Sequence, residues 1–374
     1  MNKALAKAVV INSVAVVAVV GDHAVVIATK PDQPQACVSH PVDSGCDGKP
    51  VPLKGKALIL ASKEFAHENR AKSWWVFLST LAYFGVCVYG TIAPWAWPAR
   101  LICSVLCGLL MVRMFVIFHD HQHHAILDRS RVADFLMRLV GILALTPSSI
   151  WKSSHNYHHN NNSKLKSARI GSFPIMTRDH YDRANFKTRF EYRFMRHPIT
   201  MLCGYLTVFL MGMSVLPFLE DPKKHLDGLL AILLHIALMG TLFLFGGFSA
   251  VLLTMLIPYS IAMALGTYLF YVQHNFPDVL FRDRKGWTYE GAALDSSSFL
   301  RLPRIMHWFT GNIGYHHIHH LNAKIPFYRL PEAMNAMPEL QQPKSSSLHP
   351  VEILRCLKLA VWDVDAQRMV PLPK

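Results

Sequence analysis

The sequence predicts an all-α integral membrane protein with about four transmembrane helices. Apolar residues make up 52% of the 374-residue chain and charged residues only 17%, which is too apolar for an ordinary soluble domain. Several long apolar runs recur along the chain, and many of its 21 histidines cluster beside the ends of these runs. The 38 Lys and Arg exceed the 24 Asp and Glu, which in so apolar a chain indicates a membrane surface. No nucleic-acid-binding motif is recognisable, so nucleic acid is not expected as a partner.

Two apolar runs in the first third of the chain predict a membrane hairpin. Residues 74–97 are bracketed by tryptophans at both ends, which is typical of a span with aromatic belts. After a turn at residues 98–100, residues 101–118 supply 18 further positions that are interrupted only by Arg113. Because Arg113 lies near one end of the run, its side chain is expected to reach the interface.

Three more apolar runs follow, at residues 199–219, 228–244 and 248–271. Only two of the three can cross the membrane if the histidines before and after them share one site, because a shared site requires an even number of crossings between them. The first run has Pro198 before it and Pro217 inside it, so it is predicted to be interfacial or re-entrant. Gly246 and Gly247 are then the external turn between the last two spans. The sequence leaves open the alternative that another of the three runs, and not residues 199–219, fails to span the membrane.

The basic residues predict which side of the membrane the large loops occupy. Thirteen Lys and Arg lie between His119 and Pro198, and twelve follow Tyr271. Because basic loops stay in the cytoplasm, the protein is predicted to be multi-pass with its histidine clusters on the cytoplasmic side.

Two segments of the loops are predicted to lie at the membrane surface. Residues 135–144 carry apolar side chains opposite Asp134 and Arg138 and are too short to span, which predicts an amphipathic helix on the bilayer. Further along, a basic stretch predicts a solvated or headgroup-facing surface, with docking of an acidic electron donor as the alternative. Its members are Arg178, Arg183, Arg189, Arg193 and Arg196.

Residues 1–70 are predicted to be an N-terminal extension of unknown role. Lys3 and Lys7 precede a Val- and Ala-rich run at residues 8–20, which superficially fits a signal peptide. Cleavage of a signal would invert the membrane hairpin and leave the most basic loops outside. A β-prone extension with a hairpin around Gly21 and Asp22 is therefore the favoured interpretation.

Eleven of the histidines fall in three windows, residues 119–124, 155–159 and 316–320, which together span only 16 positions. His119 and His123 are four residues apart, so on a helix both imidazoles project from one face. The other two windows each offer a triplet with the spacing i, i+3, i+4: His155, His158 and His159, then His316, His319 and His320. His121 and His317 are out of phase, and His124 is an additional candidate. Eight ligands are too many for one metal ion and suit two.

Imidazole ligands suit Fe, Cu, Zn and Ni, so the ligand type alone does not select the metal. Zinc is disfavoured because none of the seven cysteines lies near a histidine cluster. A pair of redox-active iron ions with room for O2 is the favoured occupant. His274 emerges where the last predicted span ends, as His119 does, and is predicted to be a ninth ligand, the alternative being an interfacial histidine.

Other polar residues near the clusters are candidates for hydrogen bonds that orient the ligating rings. They are Asp120, Asn156, Asn275 and Asn322. His235, in contrast, lies inside an apolar run and is interpreted as a packed core residue.

The three windows read HDHQHH, HNYHH and HHIHH, with QHNF before the last, and they resemble the histidine boxes of the membrane fatty acid desaturases. The segment TGNIGYHHIHHLN and the following IPFYRL are similar to the third box of bacterial acyl-lipid desaturases of the Δ12 or ω6 type. The resemblance covers residues 70–345. It implies a desaturase domain at residues 71–345, with a C-terminal cytoplasmic tail at 346–374.

The resemblance further implies transmembrane helices capped by a cytoplasmic helical domain that holds a nonhaem diiron centre. Its ligands would be His119, His123, His155, His158, His159, His274, His316, His319 and His320. The implied reaction is O2-dependent desaturation of a fatty acyl lipid, which forms a cis double bond and water. An apolar slot between the spans would hold the acyl chain.

Because no flavin, nicotinamide or haem motif is recognisable, an external electron donor such as ferredoxin or cytochrome b5 is expected. Within the same class, a diiron hydroxylase or carotenoid-modifying oxygenase is the alternative. A membrane metal transporter is the alternative from another class, and it is disfavoured because transporters usually place ionisable ligands inside their spans.

Overall fold

The computed structural model describes residues 9–10, 15–20, 23–28, 52–165 and 172–373. It divides into two compact units, Met1–Pro52 and Leu53–Lys374. In the first unit the strands Val9–Val10, Ala15–Val20 and His23–Ala28 form an antiparallel sheet in which Val20 is opposite His23. This register suits the predicted hairpin, because only residues 21–22, which lie outside the described residues, separate the two longer strands.

The second unit is mostly helical. Its α-helices, numbered in chain order, are α1 (Gly55–Ala61), α2 (Arg70–Ile92), α3 (Trp97–Gln122), α4 (Arg131–Leu143), α5 (Ser148–Asn161), α6 (Arg178–Arg183), α7 (Phe186–Arg196), α8 (Pro198–Leu202), α9 (Leu216–Glu220), α10 (Leu226–Val251), α11 (Ile257–Val272), α12 (Tyr289–Ser296), α13 (Arg304–Phe309), α14 (His316–Leu321), α15 (Leu330–Ala336) and α16 (Pro350–Lys358). Short 3-10 turns occupy Ser62–Phe65, Phe327–Arg329 and Pro338–Leu340, and π-helical segments occupy Tyr205–Val215 and Leu252–Leu256.

Two short sheets depart from the predicted all-α fold. Phe299–Arg301 pairs in parallel with Ser345–Ser347, and Val361–Asp363 pairs antiparallel with Arg368–Val370. Trp362 is fully buried in the second pair. The strands are only three residues long, which is why the sequence carries no extended alternating pattern for them. They pack the C-terminal part of the chain onto the helical body.

Three helical stretches among the described residues are long and apolar enough to cross a membrane: α2, α3 and the continuous stretch Leu226–Val272. The first two are the predicted hairpin. The third is interrupted at Gly247, whose φ of 66° and ψ of −171° are not helical. A left-handed φ favours glycine because glycine has no Cβ, so the chain turns where the Gly246-Gly247 pair predicts.

The ends of the stretch Leu226–Val272 both lie against α5. Ser149, at the start of α5, hydrogen-bonds His225 and Asp227 just at the start of α10. Near the end of α5, His158 Nε2 lies 3.1 Å from Nε2 of His274, which follows α11. The two halves of the stretch therefore run in opposite directions. The first half, from residue 226 to 246, is about 31 Å long, which is close to the thickness of a bilayer core.

The preceding apolar segment, residues 198–220, also leaves and returns on one side of the molecule. Arg196, before it, donates to Asn275, and His225, after it, contacts α5. Its main helical part, Tyr205–Glu220, is about 24 Å long, shorter than a bilayer core of about 30 Å. This length and these ends are compatible with the interfacial or re-entrant segment that the sequence predicts.

Helix α4 has three distinct faces, as expected of a helix at a membrane surface. Ala133 and Met137 are buried in the protein, whereas Phe135 and Val132 are exposed although they are apolar. Asp134 lies on the third, polar face. After α4 the chain bends by 91° into α5. The bend directs α5, which carries three of the clustered histidines, towards the end of α3.

Arg113 does not reach the interface as predicted. It is 6% exposed and donates from Nε to Thr80 Oγ1 at 3.1 Å and from Nη1 to the Trp308 carbonyl. The Trp308 ring also lies 4.1 Å from the guanidinium carbon. Because these neighbours satisfy the guanidinium inside the protein, its charge does not need to reach water.

Helices α3 and α11 approach closely at Gly108. A Cβ at Gly108 would lie 2.9 Å from both the Pro258 carbonyl oxygen and Ile261 Cβ, whereas a Cβ at Gly85, on the exposed side of α2, would have no neighbour within 4 Å. We expect Gly108→Ala to lower the thermal midpoint of the purified protein and Gly85→Ala to leave it unchanged or raise it. Both changes improve helix propensity by about 1 kcal/mol, but overpacking at Gly108 costs about 1–3 kcal/mol. Equal midpoints for the two variants would contradict this packing.

Candidate metal centre

Four separate parts of the chain bring their histidines to one place. His119 lies in the last turn of α3 and His123 directly after it, α5 carries the second triplet, His274 follows α11, and α14 carries the third triplet. The turn before α14 depends on Gly311, which has a φ of 52°. A Cβ there would lie 2.8 Å from Val116 Cγ1 on α3, so glycine permits the close approach of this turn to α3.

The nine predicted histidines form two adjacent groups. Within each group the ring nitrogens that would bind an ion lie within 4.8 Å of one another. The first group contains His119, His123, His155, His159 and His319, and the second contains His158, His274, His316 and His320. The groups touch where the rings of His159 and His320 stack, with centroids 4.2 Å apart and an interplanar angle of 19°. The i, i+3, i+4 triplets are thus shared between the two groups.

The spacing of the nitrogens fits metal coordination. Nε2 of His155 lies 3.0 Å from Nε2 of His119, and Nε2 of His316 lies 2.9 Å from Nε2 of His274. Two imidazole nitrogens bound at right angles to one ion, each at about 2.1 Å, lie about 3.0 Å apart. An all-imidazole donor set of this kind suits iron among other transition metals. The residues present therefore fit a pair of metal ions.

Burial keeps these imidazoles uncharged. Desolvation lowers the pKa of seven of them well below the usual value: His123, His155, His158, His159, His316, His319 and His320. Burial also lowers the pKa of His274 to about 4, although its hydrogen bond to the Ser296 carbonyl acts in the opposite direction. Neutral imidazole is the form that binds a metal ion, so the protonation state suits the geometry.

Two of the rings are oriented by hydrogen bonds from Nδ1. His119 Nδ1 lies 3.0 Å from Asp120 Oδ1, and the other oxygen of Asp120 accepts from the Phe327 amide at 2.7 Å. His274 Nδ1 donates to the Ser296 carbonyl at 3.0 Å. In both cases a proton on Nδ1 leaves Nε2 free to face the centre. Asp120 thus makes the contact predicted for it, while Ser296 acts through its backbone and has no sequence signal.

The other three predicted polar partners do not hydrogen-bond a histidine ring in the described structure. Asn156 is exposed on α5. Asn322 donates to Ser62 Oγ at 3.0 Å. Asn275 donates to the Tyr271 hydroxyl and to backbone carbonyls of the C-terminal segment. The helical periodicity predicts which histidine rings share a face, but it does not predict the directions of these asparagine side chains.

The remaining histidines of the windows lie outside both groups. His124 Nδ1 is 2.8 Å from Asp128 Oδ1, and the His124 side chain is half-exposed. His121 bonds Asp134 at 3.1 Å, and His317 bonds the Leu340 carbonyl at 3.3 Å. His235 lies apart from the centre and hydrogen-bonds the Tyr205 hydroxyl, in keeping with its interpretation as a core residue.

The prediction of an exposed basic surface is wrong for Arg196. It is 6% exposed and donates from Nη2 to Asn275 Oδ1 at 2.6 Å and to the Leu359 carbonyl at 3.0 Å. Nη1 donates to the Pro174 carbonyl at 3.0 Å. Because Asn275 is the neighbour of His274, Arg196 ties the end of α7 and the C-terminal segment to the centre. The other arginines of the stretch are more exposed, as predicted.

Aromatic rings line the side of the centre nearest the membrane helices. The Trp151 ring stacks on His155 with centroids 4.3 Å apart, and Phe270 lies 5.1 Å from His158. Phe115, one turn before His119, contacts the Trp151 ring edge to face. These rings offer an apolar surface beside both groups.

The fold and the site define a class: a helical protein with membrane-length helices and nine histidines arranged as two adjacent metal-binding groups. A family model described as fatty acid desaturase matches residues 95–350. The chain therefore belongs to the fatty acid desaturase family and is an oxidoreductase of lipid metabolism.

Three relatives illustrate the range of similarity. A fatty acid desaturase of Bacillus subtilis (strain 168) is 32% identical over 85% of this chain and 90% of its own length. An sn-1 oleoyl-lipid 12-desaturase of Anabaena variabilis is 24% identical, covering 74% of this chain and 79% of the relative. An sn-1 acyl-lipid omega-3 desaturase (ferredoxin) of Nostoc sp. (strain 36) is 23% identical, covering 75% and 79%.

The contacts of Asp120 predict a specific loss of metal affinity. An asparagine at position 120 cannot accept from both His119 and the Phe327 amide, because its NH2 group would face one of the two donors. We expect Asp120→Asn to weaken metal binding by about 10–100-fold, the usual effect of removing a partner that orients a ligand. The matched control is Asp134→Asn, whose partner His121 lies outside both groups. Chelator competition on the purified protein measures both, and equal affinities would refute the role of Asp120.

Proposed function

We propose that the protein is an acyl-lipid desaturase of the Δ12 or ω6 type that introduces a cis double bond into a fatty acyl chain. The observation that carries this proposal is the convergence of nine neutral histidines into two adjacent groups beside an aromatic wall. The family match supports the reaction class. The 12-desaturase relative in Anabaena variabilis supports the position of the new bond.

Two iron ions would be held by the nine histidines, one by each group. The first would be held by His119, His123, His155, His159 and His319, and the second by His158, His274, His316 and His320. When bound, the iron pair supplies the O2-dependent oxidation that removes two hydrogens from unactivated C–H bonds, for which acid-base or nucleophilic side chains have no route.

The protein's own contribution is position and the exclusion of water. The first group is held within a few ångströms by α5, α14 and the end of α3, and the second by α5, α14 and the residues that follow α11. Asp120 and the Ser296 carbonyl orient two of the rings. An acyl chain would lie along the apolar surface of Phe115, Trp151 and Phe270, so the depth of this surface would select the carbons that face the centre.

The proposed topology has four membrane-spanning helices with the centre on the cytoplasmic side. The spans would be α2, α3 and the two halves of the stretch Leu226–Val272 on either side of Gly247. The basic loops before residue 198 and after residue 271 support the cytoplasmic placement. Residues 1–70 would be an extension outside the catalytic domain, although residues 53–70 belong to the same compact unit as the centre.

Electrons would come from a separate protein such as a ferredoxin or cytochrome b5. The relative in Nostoc is named for ferredoxin, which supports this class of donor. A diiron hydroxylase is the second candidate, because the same kind of centre can insert oxygen in place of removing a second hydrogen.

The two groups predict which histidines are essential. We expect His158→Ala and His319→Ala to abolish desaturation and to lower the iron content, because each removes a nitrogen from one of the two groups. His121→Ala and His317→Ala should retain activity, because those rings bond Asp134 and the Leu340 carbonyl instead. Iron per chain and product formation are measured on variants that insert in the membrane as well as wild type. Full activity of His319→Ala would refute the ligand assignment.

Analysis of host lipids tests the reaction itself. The protein is expressed in a host that makes monounsaturated acyl chains, and its fatty acids are analysed by gas chromatography with mass-spectrometric location of double bonds. A new diene with a second bond at the Δ12 or ω6 position is the expected result. Hydroxylated chains would favour the second candidate, and unchanged lipids from iron-loaded protein supplied with a donor would overturn the acyl-lipid proposal.

A further inference from the structure

Helix α7 exposes a row of phenylalanines that no described residue covers. Phe186, Phe190 and Phe194 are 85%, 59% and 52% exposed. They are four residues apart, so they lie on one face of the helix. Each ring stacks on the next with centroids 6.4 Å apart and interplanar angles of 22° and 18°. We call these three residues the phenylalanine row.

The other two faces of α7 have partners of a different kind. Tyr192 is fully buried, and its hydroxyl donates to the Ala360 carbonyl. Arg196, one turn later, is buried against Asn275. On the face away from the body, Lys187 and Glu191 form an exposed ion pair at 3.9 Å. The helix therefore has a protein face, a charged face and an apolar exposed face, as α4 has.

The phenylalanine row continues directly into the membrane part of the chain. Only His197 separates α7 from α8, where Ile199 and Leu202 are both exposed and apolar. These residues begin the apolar segment 198–220. Basic side chains of the same helix also flank the row: Arg189 and the exposed Arg193 donate to backbone carbonyls and a tyrosine hydroxyl, and no carboxylate among the described residues pairs with them. Apolar rings beside exposed basic groups suit the boundary between acyl chains and anionic headgroups.

We infer that α7 lies in the membrane interface, with the phenylalanine row inserted among the acyl chains of a leaflet that carries anionic headgroups. Three exposed phenylalanines on one helix face are costly in water, and a lipid leaflet removes that cost. The inference rests on the exposure and placement of α7 and does not require the proposed reaction. It also means that the helix carrying Arg196, which holds the neighbour of His274, is fixed against the bilayer.

Site-specific photocrosslinking tests the inference on the full chain. The photoreactive residue p-benzoylphenylalanine is placed at position 190 on the phenylalanine row, and in a separate variant at position 187 on the charged face of the same helix. Both proteins are reconstituted in nanodiscs of phosphatidylcholine and phosphatidylglycerol and irradiated. We expect lipid adducts, measured by mass spectrometry, to be at least several-fold more abundant from position 190 than from position 187.

A second pair of positions keeps the test independent of one variant's folding. Position 194 repeats the measurement on the phenylalanine row, and position 191 repeats the control on the charged face. Equal lipid labelling of the two faces would overturn the inference. So would crosslinks from positions 190 and 194 to protein, whether to a second copy or to another segment of the chain. Activity plays no part in the readout, so failure of the proposed reaction would leave this result unaffected.

Discussion

The structure depends on holding nine uncharged imidazoles within a few ångströms of one another. Their nitrogens converge at about the separation that ligands of one ion require. Burial enforces the neutral state. A metal ion bound by the Nε2 atoms would offset part of the cost of burying so many polar rings, which makes the relative positions of α3, α5, α11 and α14 the central requirement of the fold.

The membrane helices and the loop elements share this task. α3 and α11 pack closely at Gly108 and each ends beside the centre, so one rigid pair places His119 and His274. α5 is placed by contacts with the start of α10 and by the sharp bend after α4. The segment that carries α14 is held by the turn at Gly311 and by the parallel pairing of Phe299–Arg301 with Ser345–Ser347. The membrane helices and the loop elements together thus position the histidines of the centre.

Local periodicity was enough to predict which histidines converge, because residues spaced by three or four share a helix face. Long apolar runs likewise predicted the membrane hairpin and the turn at Gly247. The sequence could not predict the burial of Arg113 or Arg196, because each is satisfied by groups that lie far away along the chain, such as the Trp308 carbonyl and Asn275. The sequence also could not predict the role of the Ser296 carbonyl, since every residue type carries the same backbone acceptor.

The C-terminal segment has a consequence for the order in which the molecule can be made. The carbonyls of Cys356 and Leu359 accept from Asn275, and Leu359 also accepts from Arg196. These acceptors lie far downstream of Asn275 and Arg196 in the sequence, so they leave the ribosome well after those two residues. The surroundings of His274 therefore cannot be completed until the chain has been made beyond residue 359, well after His274 itself.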